Sequence, residues 1–147
     1  MTNRIIRPSG LLIRDQRLLL LHYRYGANDR YNLPGGNLEP DEEIPACLMR
    51  EFQEELNLTV CPESLLCVAE TQTENKTTLH LVFQVACHGE PRLNSNAVRA
   101  TEILWLSHEK LDTAPLYPAI GFALGPWLRA KIPPPLFLGR IQQTWFH

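Results

Sequence analysis

The sequence predicts an α/β chain, a mixed β-sheet covered by helices, and three observations carry that expectation. Short apolar and β-branched runs of strand length alternate with two stretches of helical periodicity. A Pro-Gly-Gly loop stands between an early strand pattern and the first helix, which gives a strand-loop-helix unit. Finally, 147 residues with 44% hydrophobic and 20% charged residues suit one domain, 1–147, that buries a real core, with a proline-rich tail from about residue 132.

Taken in order, residues 10–13 and 18–23 read as a hairpin turning at Arg14-Asp15-Gln16-Arg17, and the second strand leads into the glycine loop Leu33-Pro34-Gly35-Gly36. Pro fixes φ and two glycines admit angles closed to other residues, so the loop is a tight turn. A helix is expected from near Glu43, with Pro45 tolerated in its first turn and Glu42 and Glu43 at its positive end, to Asn57, a residue able to adopt the left-handed cap. Residues 66–73 and 77–87 form a second hairpin turning at Glu74-Asn75-Lys76, and residues 103–106 a further strand. Residues 116–131 have helical spacing (Leu116, Ile120, Ala123, Leu124, Trp127, Leu128), with a kink or break expected at Pro126. The tail, Pro133-Pro134-Pro135 and then apolar residues ending in Trp145-Phe146-His147, is extended. Three destinations are open for it: its own sheet edge, a second subunit in a homodimer, or the border of the substrate site.

The stretch 36–58, GNLEPDEEIPACLMREFQEELNL, is the most informative. At roughly 7% usage per residue, the six positions Gly36, Glu42, Arg50, Glu51, Glu54 and Glu55 recur by chance about once in ten million registers. On a wheel of about 100° per residue, Ala46, Met49, Phe52 and Leu56 share one side and the acids Glu51, Glu54 and Glu55 centre roughly 160° away. Carboxylates spaced i, i+3, i+4 repel, and Arg50 serves Glu54 but not all three. They form either a solvated acidic face or the oxygen ligands of a hard divalent cation such as Mg²⁺ held between carboxylates and substrate phosphates. The glycine loop, Glu42 and Arg50 in register favour the cation.

In these residues the chain resembles the Nudix hydrolases, whose box reads G-x5-E-x7-R-E-U-x-E-E-x-G-U with U a bulky aliphatic residue. Gly36, Glu42, Arg50, Glu51, Glu54, Glu55 and Leu58 fill it, Phe52 stands at the first U, and Asn57 replaces the second glycine. The resemblance, over roughly residues 5–111, implies an α/β/α sandwich around a mixed sheet. It also implies Mg²⁺- or Mn²⁺-dependent hydrolysis of a pyrophosphate bond in a nucleoside diphosphate linked to another group. By the same resemblance Glu51, Glu54, Glu55 and the Gly35 carbonyl are metal ligands. Arg50 orients the glutamates, and Gly36 and Glu42 support the loop. Glu51 is one candidate base for the attacking water; Glu102, ahead of the strand ending Trp105-Leu106, is the other, unless it is simply solvated.

Other residues bear on substrate and setting. Tyr23, Arg24, Tyr25, Arg30, Tyr31 and Asn32 precede the loop and offer a stacking ring and phosphate contacts, Arg24 and Tyr31 foremost; the arginines, like Arg7, are equally open to being ordinary solvated residues. The proline or tyrosine that marks some Nudix branches beyond the box is absent from Gln72-Thr73-Glu74-Asn75-Lys76. A nucleoside triphosphate is therefore favoured over ADP-ribose, nucleotide-sugar and dinucleoside polyphosphate substrates, with a non-catalytic nucleotide-sensing module, an isoprenoid diphosphate enzyme and an inositol polyphosphate enzyme as further readings. A formal charge of −2 argues for a small-molecule nucleotide and against a nucleic acid polymer. No apolar run suits a membrane or a secretory signal, and Cys47, Cys61, Cys67 and Cys87 lack metal spacing, so a cytoplasmic protein with reduced thiols is expected.

Overall fold

The computed structural model describes residues 3–146; Met1, Thr2 and His147, the last of them the expected end of the tail, lie outside the described residues. In chain order the elements are β1 (Asn3–Leu11), β2 (Ile13–Arg14), β3 (Arg17–Tyr25), β4 (Asn28–Asn32), α1 (Ile44–Leu56), β5 (Cys61–Gln72), β6 (Lys76–Ala86), β7 (Glu102–Ser107), a 3-10 turn His108–Lys110, β8 (Leu116–Tyr117), α2 (Gly121–Ala130) and β9 (Phe137–Arg140).

The strands form two sheets. One has the order β1-β6-β5-β9, with β1 parallel to β6, β5 antiparallel to β6 and β9 parallel to β5. The other runs β2-β3-β4-β8, with β7 antiparallel to β3. The run Leu18-Leu19-Leu20-Leu21 is apolar throughout because β3 is covered on both faces. Leu19 and Leu21 join Leu48, Phe52 and Leu56 of α1, whereas Leu18 and Leu20 join Ile120, Leu124 and Leu128 beside α2. The α/β architecture with mixed pairing is thus as the sequence predicts, distributed over two sheets.

Four expectations are revised. The first hairpin is only β2 with β3, turning at Asp15 and Gln16 (φ 51° and 61°), while Gly10 and Leu11 belong to β1 in the other sheet. Between β3 and the glycine loop lies β4, reached by a turn at Gly26 (φ 62°). The second helix is shorter than 116–131: Leu116 and Tyr117 pair with Tyr31 and Asn32 as β8, and α2 passes through Pro126 without breaking. The apolar face of α1 is turned from the one expected. Cys47, Leu48, Phe52, Glu55 and Leu56 are buried, while Ala46 and Met49 are exposed, because the stripe 48-52-56 seats on the sheet and swings Glu55 inward against the loop.

The ends of α1 follow the sequence. Glu43 is its N-cap with Pro45 in the first turn, and Asn57 caps the C-terminus in the left-handed conformation (φ 53°), its N–H donating to the Gln53 carbonyl and the Leu58 N–H to the Phe52 carbonyl. The tail takes its own sheet edge. β9 pairs with β5, Trp145 packs on Tyr117 with ring centroids 5.5 Å apart, and Phe146 on Tyr25 at 6.1 Å.

Candidate active site

The loop 33–36 is bound along β1. Gly10 N–H donates to the Pro34 carbonyl at 2.9 Å and Gly36 N–H to the Pro8 carbonyl at 3.2 Å. This contact is close enough that a Cβ on Gly35 would fall on the Pro8 carbonyl oxygen, and one on Gly36 would fall on the Glu51 carboxyl. Two glycines thus let β1, the loop and α1 meet. Glu55 completes the junction: its Oε1 accepts the Gly35 N–H at 3.0 Å, and the residue is only 7% exposed.

Arg50 organises the remaining acids. Its Nε donates to Glu42 Oε2 at 2.7 Å and Nη2 to Glu42 Oε1 at 3.0 Å, a two-pronged pair across the loop. Nη1 donates to Glu51 at 2.9 Å and to Glu54 at 3.3 Å. These bonds hold the Glu42 carboxyl down to about 2 and, with Glu42 foremost, raise Arg50. Burial acts the other way on the two inward acids. It raises Glu51 against the pull of Arg50, and it pushes Glu55 up to about 8 against the charge of Arg7 and the Gly35 N–H.

A wall of aromatic and basic groups adjoins Glu55. Arg7, 7% exposed, donates Nη2 to the Leu33 carbonyl at 3.0 Å and reaches the Gly35 carbonyl at 3.5 Å, while its Nη1 is buried without a partner. Its guanidinium lies 5.1 Å from the Tyr117 ring centre. Arg30 stacks on Tyr25 and Tyr117 at 4.8 and 4.7 Å and donates to the Tyr25 hydroxyl at 2.8 Å. The Tyr23 hydroxyl is pushed up to about 12 by burial, with the Glu55 charge adding to it.

The residues expected at the site do not all meet. Gly35, Gly36, Glu42, Arg50, Glu51, Glu54 and Glu55 form one contiguous network. Glu102 lies elsewhere. It pairs across β7 and β3 with His22, on the strand face carrying Leu20 and away from α1, and accepts from His22 Nδ1 at 3.0 Å. Arg24 and Tyr31 share that face: Arg24 binds Asp29 at 2.9 Å, and Tyr31 sets its ring edge-on to His22. Strand alternation instead directs Tyr23, Tyr25 and Arg30 toward α1. Tyr117 is the partner that sequence reasoning missed, and Arg7, left open there, is settled as buried; the β1–β6 and β4–β8 pairings bring both here.

The donor chemistry fits a hard divalent cation. Three carboxylates project from neighbouring turns of one helix, two of them drawn inward, beside the Gly35 carbonyl, which Arg7 reaches at 3.5 Å. As they stand, Glu51 and Glu54 face Arg50, and among the described residues no three His, Cys, Asp or Glu side chains converge closely enough to hold an ion. Also among the described residues, no helix is long and apolar enough to cross a membrane. The four cysteines are free.

Residues 6–128 match the family model for the NUDIX domain. No curated protein matches the chain. Among solved structures, the ORF135 protein of E. coli superposes with a TM-score of 0.75 at 23% identity, over 91% of this chain and 96% of its own. A MutT NUDIX hydrolase from Burkholderia pseudomallei gives 0.64 at 25% identity over 73% and 85%, and a NUDIX hydrolase from Nitrosomonas europaea 0.71 at 16% over 96% and 80%. The family match spans the glycine loop, α1 and strands of both sheets, and so the chain belongs to the NUDIX family as a pyrophosphohydrolase, of a kind that works with a divalent metal ion.

Proposed function

We propose that this protein is a Mg²⁺- or Mn²⁺-dependent hydrolase that cleaves the pyrophosphate bond of a small nucleoside diphosphate linked to another group, with nucleoside triphosphates as the favoured class. The observation that carries the proposal is the junction at Glu55 and Arg50. Glu42, Glu51 and Glu55 are each held by bonds of 2.7 to 3.0 Å to Arg50 or the Gly35 N–H, and Arg50 reaches the more exposed Glu54 at 3.3 Å, a tighter arrangement than a solvated acidic helix face. Tyr25, Arg30 and Tyr117 beside it offer aromatic faces and positive charge to a nucleotide.

Glu51, Glu54, Glu55 and the Gly35 carbonyl would hold the ion, which would offset charge on the diphosphate and make it easier for the attacking water to give up a proton. Glu42 keeps Nε and Nη2 of Arg50, so the guanidinium stays in place to orient Glu51 and Glu54 when they turn to the ion. Glu51 takes the proton of the water. Its carboxyl lies inward among the α1 acids, and the seat of Glu102 on His22 favours Glu51 over Glu102. Arg7, with one N–H unpaired, supplies charge to a substrate phosphate. The free thiols fit a cytoplasmic setting, and the net charge of −2 fits a small nucleotide rather than a polymer.

The test is product release resolved by chromatography over nucleoside triphosphates, ADP-ribose, nucleotide sugars and dinucleoside polyphosphates, each with and without Mg²⁺ or Mn²⁺. Metal-dependent cleavage of the triphosphates is expected. Cleavage confined to another class would move the substrate, and binding without any turnover would make the chain a nucleotide-sensing module.

A further inference from the structure

The C-terminal segment 143–146 lies past residue 128, where the family match ends, yet it is tied to the fold. The Gln143 side chain accepts from Ala119 N–H at 2.7 Å and donates to the Leu116 carbonyl at 3.1 Å, so the chain is pinned beside β8. Trp145 then meets Tyr117 and Phe146 meets Tyr25, both rings only half-buried. Two large aromatic rings are thus held partly exposed, each on an aromatic residue of the wall beside Glu55.

Between these rings and the β5–β6 turn is a cleft of about 410 Å³ lined by Thr73, Glu74, Asn75, Lys76, Trp145 and Phe146. Behind it Tyr117 touches a buried polar row. The His80 ring is set edge-on to it at 5.2 Å and the Arg7 guanidinium lies over it at 5.1 Å. Arg7 and His80 are directly paired across β1 and β6, and Ser9 follows on the same face. Each has a polar atom without a partner (Arg7 Nη1, Ser9 Oγ and His80 Nδ1), although the residues are 7%, 0% and 0% exposed. Contacts therefore run unbroken from Glu55 through Gly35, Arg7 and Tyr117 to Trp145.

We infer that Trp145, with Phe146, forms a wall of the substrate site and selects the group carried beyond the diphosphate, a planar heterocyclic base that stacks on the indole. The inference rests on the pyrophosphohydrolase reading above for the position of the diphosphate. Stacking gives a use to two aromatic rings that line an open cleft, and Lys76 adds a cation to the same lining. Trp145 is a specificity residue here and takes no part in bond breaking.

The experiment compares the wild type with Trp145→Ala, Trp145→Phe and Phe146→Ala, full chain throughout. Binding of the four nucleoside 5′-monophosphates is measured by calorimetry without metal, and KM and kcat for the nucleoside triphosphates with metal. For the preferred base, Trp145→Ala should raise both Kd and KM about tenfold while kcat holds, and Trp145→Phe, which keeps a stacking ring, should recover most of the loss. Unchanged Kd and KM in all three variants would overturn the inference. So would a fall in kcat shared by every substrate together with a lowered melting temperature, which marks a merely structural plug. If no protein turns over but Trp145→Ala still weakens monophosphate binding, the base site stands and the hydrolase reading fails. Normal turnover with unaltered binding would do the opposite, sinking the base site and leaving the hydrolase reading in place.

Discussion

Arg50 grips Glu42 with two nitrogens, Nε at 2.7 Å and Nη2 at 3.0 Å, and spares only Nη1 for Glu51 and Glu54. The guanidinium is thus anchored on the loop side and presents one donor to the helix acids. Planar, forked geometry makes this division possible, and a lysine ammonium lacks it.

Arg50→Lys keeps the charge and loses the fork. The expected result is a fall in kcat/KM of about 10- to 100-fold, with more metal needed for half-maximal activity and an unchanged circular dichroism spectrum. Glu42→Gln should move both quantities in the same direction, since it frees Arg50 from the loop. A metal titration of activity for the two variants checks this, and parental curves for both would remove Arg50 from its orienting role.

Glu54→Gln and Glu55→Gln each delete one charged oxygen donor and preserve shape. In Glu55→Gln the new amide oxygen can still accept the Gly35 N–H, so the junction holds and the fold should persist. Activity should drop by about a hundredfold or more in each, because the ion loses a ligand where charge develops. If both variants hydrolyse substrate at the parental rate, the metal assignment is wrong.

Asn57 stands where the family's box has glycine, and its left-handed φ of 53° shows how the exchange is tolerated. Its side chain also donates Nδ2–H to the Arg92 carbonyl at 2.9 Å. Asn57→Gly therefore gains backbone ease and loses one bond, and should leave stability within about 0.5 kcal/mol of the parent. Asn57→Ala loses both and should cost about 1–2 kcal/mol, read from chemical denaturation, with activity unaltered in either variant.

What was legible in the chain follows from how local each signal is. The ends of α1 were readable because Pro45 and Asn57 act within one turn, and the clustering of the α1 acids because their spacing is itself the motif. The buried face of α1 was not. Ala46 and Met49 look apolar on a wheel, yet the glycine loop makes room for Glu55 instead, which is a tertiary fact. β4, Asn28–Asn32, has no apolar alternation to announce it, and without β4 the opposite facing of Arg30 and Tyr31 could not be assigned. Arg7 is one arginine in a strand, and only the parallel pairing of β1 with β6 sets it beside His80. The tail edge strand depends likewise on a partner, β5, far away in sequence.

His80 gives the fold an acid-side weakness. Burial, followed by the charges of Arg7 and Lys76, pushes its ring down to about 3, so it stays neutral in the folded chain. The unfolded chain takes up that proton near pH 6.5. This contribution is therefore whole above pH 6.5 and lost as pH falls toward 3, amounting to about 2 kcal/mol by pH 5. The melting temperature should fall from pH 7 to pH 5, and His80→Gln, with no proton to gain, should fall less steeply. Parallel curves for the two proteins would mean that His80 is charged or water-bridged in the fold.

Glu102 supplies the sharpest check on the division of the strand faces. His22 lies between two carboxylates, Nε2 at 2.8 Å from Asp29 and Nδ1 at 3.0 Å from Glu102. Burial alone would lower its pKa, but the two bonds and the charges behind them raise it overall. A raised histidine stabilises the fold fully below pH 6.5, and the contribution is lost as pH climbs through the folded value. Glu102→Gln removes one of the charges. The His22 ring protons, followed by NMR, should then titrate at lower pH, and part of the stability just above pH 6.5 should disappear. Turnover should stay within about twofold, since β3 and β7 hold Glu102 on the face away from α1. A large loss of kcat with an altered pH–rate profile, and with the titration of His22 unmoved, would mean that Glu102 leaves His22 to serve the α1 acids, and Glu51 would then cede the role of base.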